Sequence, residues 1–226
     1  MNFAIIIPTL NETENIQSCL LKLQPIRSKA EIIVADGGST DNTVKQIAGL
    51  ADKVIIINKG RAIQMNAGAK KATGKMLIFL HADTTLPENA LDLIGQSNNQ
   101  WGRFDIQLTG KIFMLKIVAQ FMNCRSRLTG IATGDQAIFV SRQLFDKVAG
   151  YPDIALMEDI TLCVALKQIS PPLCLKAKVT SSGRRWEEFG AVKTILLMWS
   201  MRLRYFFGEK PEVLAKLYSK GLFRKN

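Results

Sequence analysis

Met76-Leu77-Ile78-Phe79-Leu80-His81-Ala82-Asp83-Thr84 sets five apolar residues in an unbroken row and follows them with an imidazole, a carboxylate and a hydroxyl. The row reads as a strand buried on both faces. Its polar residues fall at the carboxyl end, the edge of an open α/β sheet where ligands bind. A carboxylate there can hold a divalent cation against a phosphate. The alternative is an Asp that caps the next helix, since Asp and Thr are favoured N-caps.

Working upstream, residues 3–7 form an Ile-rich strand stopped by Pro8. Asn11-Glu12-Thr13-Glu14 then opens a helix capped by Asn11 or Thr13, with Ile16, Cys19, Leu20 and Leu23 on its apolar face. Residues 31–35 form the next strand, ending in Asp36-Gly37-Gly38-Ser39-Thr40-Asp41. A helix through Val44, Ile47, Ala48 and Ala51, a strand over 53–58 and a helix over 61–72 complete the run. Strand alternating with helix predicts right-handed βαβ units and a parallel sheet. One sheet edge then collects Asn11, Glu12, Asp36, Asp41 and Asp83. A dinucleotide site is excluded, because the first turn, Pro8-Thr9-Leu10-Asn11-Glu12, has no glycine. No Walker A sequence occurs either. Gly37 and Gly38 permit a tight turn that leaves Asp36 free to accept hydrogen bonds from a base, with a plain turn as the alternative.

Downstream of residue 98 the alternation breaks. Residues 101–109 read as a strand and 111–122 as an amphipathic helix carrying Phe113, Ile117, Phe121 and Met122. Ala132-Thr133-Gly134-Asp135-Gln136 precedes a strand over 137–140. Met157-Glu158-Asp159 opens a helix over 160–166, where the helix dipole stabilises a first-turn carboxylate as an anion. Asp159 suits a general base, with Glu158 as its substitute; two acids completing a helix start is the other reading. After a strand over 173–179, Arg184, Arg185 and Trp186 can grip a diphosphate and wall a sugar ring. A solvated Arg pair beside a core Trp remains open.

With 226 residues, 47% hydrophobic and 22% charged, the chain can bury a full core, and disorder is not expected. The formal charge is +11, and residues 184–226 hold ten Lys/Arg against four Asp/Glu. Anionic partners fit this excess. Nucleic acid does not, since the basic residues are not interleaved with stacking platforms. Cys19, Cys124, Cys163 and Cys174 are scattered, without a C-x-x-C pair and with a single His in the chain. They read as reduced, mostly buried thiols of a cytoplasmic protein. The start of the chain reads as a first strand, not a signal segment, and no window reaches the length of a membrane span. Residues 189–208 mix apolar, aromatic and basic residues, which fits a helix lying on an anionic membrane surface, at the inner face of the cell membrane, and equally a helix packed on the body.

Pro8-Thr9-Leu10-Asn11-Glu12, Asp36-Gly37-Gly38-Ser39-Thr40-Asp41, Asp83 after an apolar strand and Glu158-Asp159 together resemble the family 2 glycosyltransferases of GT-A fold, over roughly residues 1–190. Gly60-Arg61-Ala62 and Arg184-Arg185-Trp186 resemble counterparts in the small bacterial branch often encoded beside radical-SAM proteins. The resemblance implies an α/β fold with a Rossmann-like, mostly parallel central sheet, helices on both faces and a C-terminal helical segment. It divides the chain into a glycosyltransferase domain over 1–186, with nucleotide-binding and acceptor halves meeting at 97/98, and a basic helical extension over 187–226. It implies that Asp36 binds the base, that Pro8, Thr9, Leu10, Glu12 and Ala82 line the nucleotide pocket, and that Arg61 lies near the nucleotide. Asp83 would coordinate Mn2+ or Mg2+ and Asp159 would be the base. His81 stands where the family's D-x-D has its first Asp, and is kept as a second metal-site residue. Gly134, Asp135 and Gln136 are assigned to the acceptor side, with a structural turn equally open. Ser182 replaces the Gln of the processive Q-x-x-R-W pattern, which predicts a single transfer.

The implied activity is inverting, metal-dependent transfer of a sugar from a nucleotide-diphosphate sugar, UDP-linked by preference, to an acceptor hydroxyl, lipid-linked acceptors included. A nucleotidyltransferase and a non-catalytic nucleotide-sugar or lipid-binding module of the same fold are the alternatives.

Overall fold

A computed structural model describes the backbone of residues 2–223 and the side chains of residues 2–219. Met1 and the last three residues of the expected C-terminal extension lie outside the described residues.

The first half is built on β1 (Phe3–Thr9), α1 (Ile16–Leu23), β2 (Ala30–Asp36), α2 (Thr43–Ile47), β3 (Lys53–Ile56), α3 (Arg61–Lys71) and β4 (Met76–Phe79). Strands β3, β2, β1 and β4 lie side by side, all parallel, with Ile5 opposite both Ile32 and Ile78. Successive side chains on a strand point to opposite faces. Accordingly Ile5, Ile7, Ile78 and Leu80 pack with Ile16, Cys19, Leu20 and Leu23 of α1 in one core. Ala4, Ile6, Leu77 and Phe79 pack with Ala62, Met65 and Ala69 of α3 in the other. A continuous apolar run is what a strand covered on both faces requires. The approach of α3 depends on Gly68, where a Cβ would lie 2.4 Å from Ile6 Cγ2.

The second half adds β5 (Thr84–Thr85), α4 (Ala90–Gly95), β6 (Trp101–Thr109), α5 (Met114–Thr129), β7 (Phe139–Ser141), α6 (Arg142–Lys147), α7 (Glu158–Lys167) and β8 (Leu173–Ser182). Beyond β4 the sheet continues β7-β6-β8-β5. Here β7 is antiparallel to β4 and β6, and β5 to β8, while β6 and β8 run parallel with a shift between Phe104 and Asp105. The expected α/β architecture is thus present, with four of the seven adjacent strand pairs parallel.

Two expectations about helices need correcting. The first helix begins at Ile16, and Asn15 makes no side-chain cap. Asn11 takes a left-handed backbone (φ 54°) and accepts from Thr40 N across the loop, so it braces the neighbouring turn and does not cap. Helix α5 runs to Thr129, seven residues beyond the expected end at 122, and stops at left-handed Gly130. The stretch expected as a helix over 189–208 is α9 (Ala191–Phe206), set between α8 (Arg184–Phe189) and α10 (Pro211–Phe223) and separated from them at Gly190 and Gly208, both at positive φ. The expected boundary at 186/187 therefore falls inside α8. Helices α9 and α10 share a small core of Met157, Met201 and Leu214 with the loop before α7.

Of the cysteines, Cys19 and Cys163 are buried, Cys174 is half-buried and Cys124 is exposed, fewer buried than expected. Burial above all pushes the Cys19 and Cys163 thiols up to about 12, so both are inert at neutral pH.

Candidate active site

The carboxyl ends of β1 and β4, the loop before α3, the N-terminus of α7 and helices α8–α10 enclose a cavity of about 810 Å³. Pro8, Thr9, Leu10, Glu12, Arg61 and Ala82 lie on its wall, as do Asp83, Gly134, Asp135, Glu158 and Asp159. Arg184, Arg185 and Trp186 join them from α8.

The base-side wall is rigid because its backbone is tied from behind. Gln64, buried on α3, donates from Nε2 to Thr9 O (2.7 Å) and Ala35 O (2.8 Å), clamping the ends of β1 and β2 together. Asp36 completes the clamp. Its carboxylate accepts from Thr9 Oγ1, Ser39 Oγ, Gly38 N and Ser39 N, and the residue is 1% exposed. The expectation of a carboxylate left free for a base is not met, and Asp36 is absent from the cavity wall. Its acceptor capacity is taken up by the glycine turn it holds.

His81, Ala82 and Asp83 leave β4 into the cavity wall. His81 Nδ1 lies 3.0 Å from Asp135 Oδ1. Its Nε2 is buried without a hydrogen-bond partner among the described residues, and a Cβ on Gly134 would approach it to 2.4 Å. One nitrogen is engaged and the other closed off, so His81 is a poor cation ligand in this arrangement, contrary to expectation. Burial works to raise the Asp135 carboxyl, but the His81 hydrogen bond and the Arg185 and Arg61 guanidiniums hold it down to about 2. Asp83 is half-buried, on the wall, and among the described residues takes only a 3.3 Å contact from Thr84 Oγ1. No cluster of three His, Cys, Asp or Glu side chains forms among the described residues. Mg2+ takes one or two carboxylates and completes its shell with water and phosphate oxygens, so Asp83 alone fits such an ion.

Helix α7 delivers the two other carboxylates in its first turn, where the dipole favours anions. Glu158 is buried and 3.3 Å from Arg61 Nη1. Burial pushes its carboxyl up, the Arg61 charge opposing. Asp159 is half-buried and accepts from Gly134 N (3.1 Å) and Ile160 N (2.7 Å). Thus Glu158 is committed to Arg61, while Asp159 is aimed by two backbone amides. Gln136 is not on the cavity wall. It is fully buried, closes a capping box with Thr133 and donates to Ser126 Oγ, so the acceptor assignment fails for it.

Arg184 pairs with Glu14, and Arg185 bonds Tyr218 Oη and stacks 5.5 Å over its ring. Residues that sequence reasoning missed complete the wall: Gln64, Thr194, Met198, Met201, Arg202 and Tyr218. On α9 the signal was present as the spacing of residues 194, 198, 201 and 205, one face of a helix.

Residues 4–94 match the family described as Glycosyl transferase family 2, which bears out the family resemblance over that stretch. A PGL/p-HBAD biosynthesis glycosyltransferase of Mycobacterium bovis is 39% identical over 95 residues, covering 38% of this chain and 37% of that protein. Glycosyltransferase AglE of Haloferax volcanii is 31% identical over 114 residues, 41% of this chain and 38% of its own. The match thus spans under two fifths of the length of these relatives. Among solved structures, S. aureus TarS 1-349 in complex with UDP superposes with a TM-score of 0.64 at 20% identity, covering 88% of this chain and 65% of that one. Mannosyltransferase PcManGT from Pyrobaculum calidifontis, in complex with GDP-Man and Mn2+, gives 0.63 at 17%, covering 99% and 70%. The fold is GT-A.

Proposed function

We propose, from the premise that residues 4–94 are a family 2 glycosyltransferase segment, that this protein transfers a sugar from a nucleotide-diphosphate sugar to an acceptor hydroxyl. The observation that carries the reading is one cavity bearing Asp83 at the end of β4 and Asp159 at the start of α7. The nucleotide lies along Pro8–Glu12 and Arg61, with UDP the preferred donor nucleotide. Asp83 would hold Mn2+ or Mg2+, which would supply positive charge for the departing diphosphate. The acceptor oxygen attacks the anomeric carbon from the face opposite the diphosphate. The bond from that carbon to the β-phosphate oxygen breaks, and the hydroxyl proton passes to Asp159. Configuration at the anomeric carbon inverts. Gly134 N and Ile160 N hold the Asp159 carboxylate pointed. Transfer is single, with Ser182 in place of a processivity Gln. Release of nucleoside diphosphate from UDP-, GDP-, dTDP- and CDP-sugars tests this. Asp159→Asn should cut turnover ~10²-fold or more while nucleotide affinity holds. Unchanged turnover in that variant would overturn Asp159 as the base, and nucleotide binding without release from any of the four would leave a binding module.

A peripheral membrane role is supported by α9. Val192, Leu196, Trp199, Leu203 and Phe206 follow one helical face and are each more than half exposed. Lys193 and Arg204 flank that row, suiting anionic lipid. No helix among the described residues is long and apolar enough to cross a membrane. A lipid-linked acceptor would then reach the cavity past α9, whose opposite face lines it.

A further inference from the structure

The cavity's cations are not equally provided for. Arg61 faces Glu158, Arg184 faces Glu14, and Arg185 is engaged by Tyr218. Arg202, half-buried on α9 and lining the cavity with Met198 and Met201, has no hydrogen bond or ion pair from its side chain among the described residues. A second guanidinium, close enough to feel its charge, is in the same condition. Arg125 of α5 is half-buried, and its Nη2 is fully enclosed without a hydrogen-bond partner. The two lie within electrostatic reach of each other and of Asp159. Burial, and for Arg125 the like charge of Arg202, lowers both guanidiniums below the usual arginine range, Arg125 to about 10. Two poorly hydrated cations without a contacting anion are unfavourable unless a ligand supplies one. Guanidinium is the group that best matches the fork of a phosphate or carboxylate.

We propose that Arg202, backed by Arg125, is an anion subsite on the acceptor side of the cavity, and that the acceptor carries a phosphate or carboxylate near the hydroxyl that is glycosylated. The inference rests on the glycosyltransferase reading for the word acceptor, and on the arginines alone for the anion. Arg202 lies within electrostatic reach of Asp159 and Asp135, which assigns its anion to the acceptor side and not to the donor diphosphate. The source is either a soluble phosphate compound or a lipid headgroup presented along α9.

The test is calorimetric titration of inorganic phosphate and of glycerol 1-phosphate, with glycerol as the uncharged control, into the full chain with and without UDP and Mn2+. Both phosphates should bind whether or not UDP is present, and glycerol should not. Arg202→Gln should weaken phosphate at least tenfold, Arg202→Lys should restore part of it, and neither should alter UDP affinity. Phosphate that competes with UDP, or that binds Arg202→Gln as well as the native chain, overturns the subsite. If UDP fails to bind but phosphate binding still depends on Arg202, the anion subsite stands and the donor reading falls. Vesicles containing phosphatidic acid supply the other arm: displacement of phosphate by vesicles identifies a lipid headgroup, and its absence a soluble acceptor; each presupposes the Arg202-dependent phosphate signal.

Discussion

At the scale of single residues, the site depends on how Gly134 serves two neighbours. Its N–H aims Asp159, and its missing side chain admits the His81 ring, to which a Cβ would come within 2.4 Å. Gly134→Ala must therefore move His81 or the turn. We expect transfer to fall at least tenfold while thermal stability drops by about 1–3 kcal/mol, the usual range for overpacking. Steady-state rates alongside a melting curve check this, and an unaltered rate would show that the turn is not part of the machinery. The residue scale is also where sequence reading was least complete. Asp83 and Asp159 were legible because a carboxylate after an apolar strand, or in a helix's first turn, has a definite place. Asp36 was not, since its occupation depends on Thr9 and Ser39, 27 residues before and three after it. Gln136 looked like an acceptor contact because a polar residue in a turn gives no sign that β6 and α5 close over it.

At the scale of elements, α9 has two opposed faces with different surroundings. Thr194, Met198 and Met201 face the cavity, and Leu196, Trp199 and Leu203 face outward. Replacing Trp199 and Phe206 by Ser should reduce flotation with anionic vesicles several-fold and leave soluble nucleotide binding intact. Equal flotation would assign the face to another partner. The joint that carries α8 to the cavity is similarly specific. A Cβ on Gly183 would lie 2.4 Å from Thr109 O, which is backbone and cannot yield cheaply. Gly183→Ala is expected to destabilise by ~1–3 kcal/mol in denaturant unfolding and to weaken whatever Arg184–Trp186 holds. The helix breaks at Gly190 and Gly208 were visible as glycines in the sequence. That they turn the chain back over the site was not, because the core tying α9 and α10 to the loop before α7 rests on Met157, Met201 and Leu214, too sparse to show a period.

At the scale of the molecule, the parallel half could be read closely because β1, β2 and β4 are buried almost throughout, on both faces, and each connection is a helix. The second half resisted, since β7 and β5 are three and two residues long and owe their pairing to β4 and β8. What unites the halves is that their strands and helices end at one cavity, and the claim about that cavity is a nucleotide diphosphate held with a cation at Asp83. The decisive measurement is thermal-shift titration with UDP, GDP, dTDP and CDP, each with and without Mn2+, on the native chain and on Asp83→Ala. The account predicts that at least one nucleotide, UDP foremost, raises the melting temperature by several degrees in a metal-dependent way, and that Asp83→Ala removes the metal dependence. Stabilisation by none of the four with Mn2+ present, or full metal-dependent affinity retained in Asp83→Ala, would contradict it.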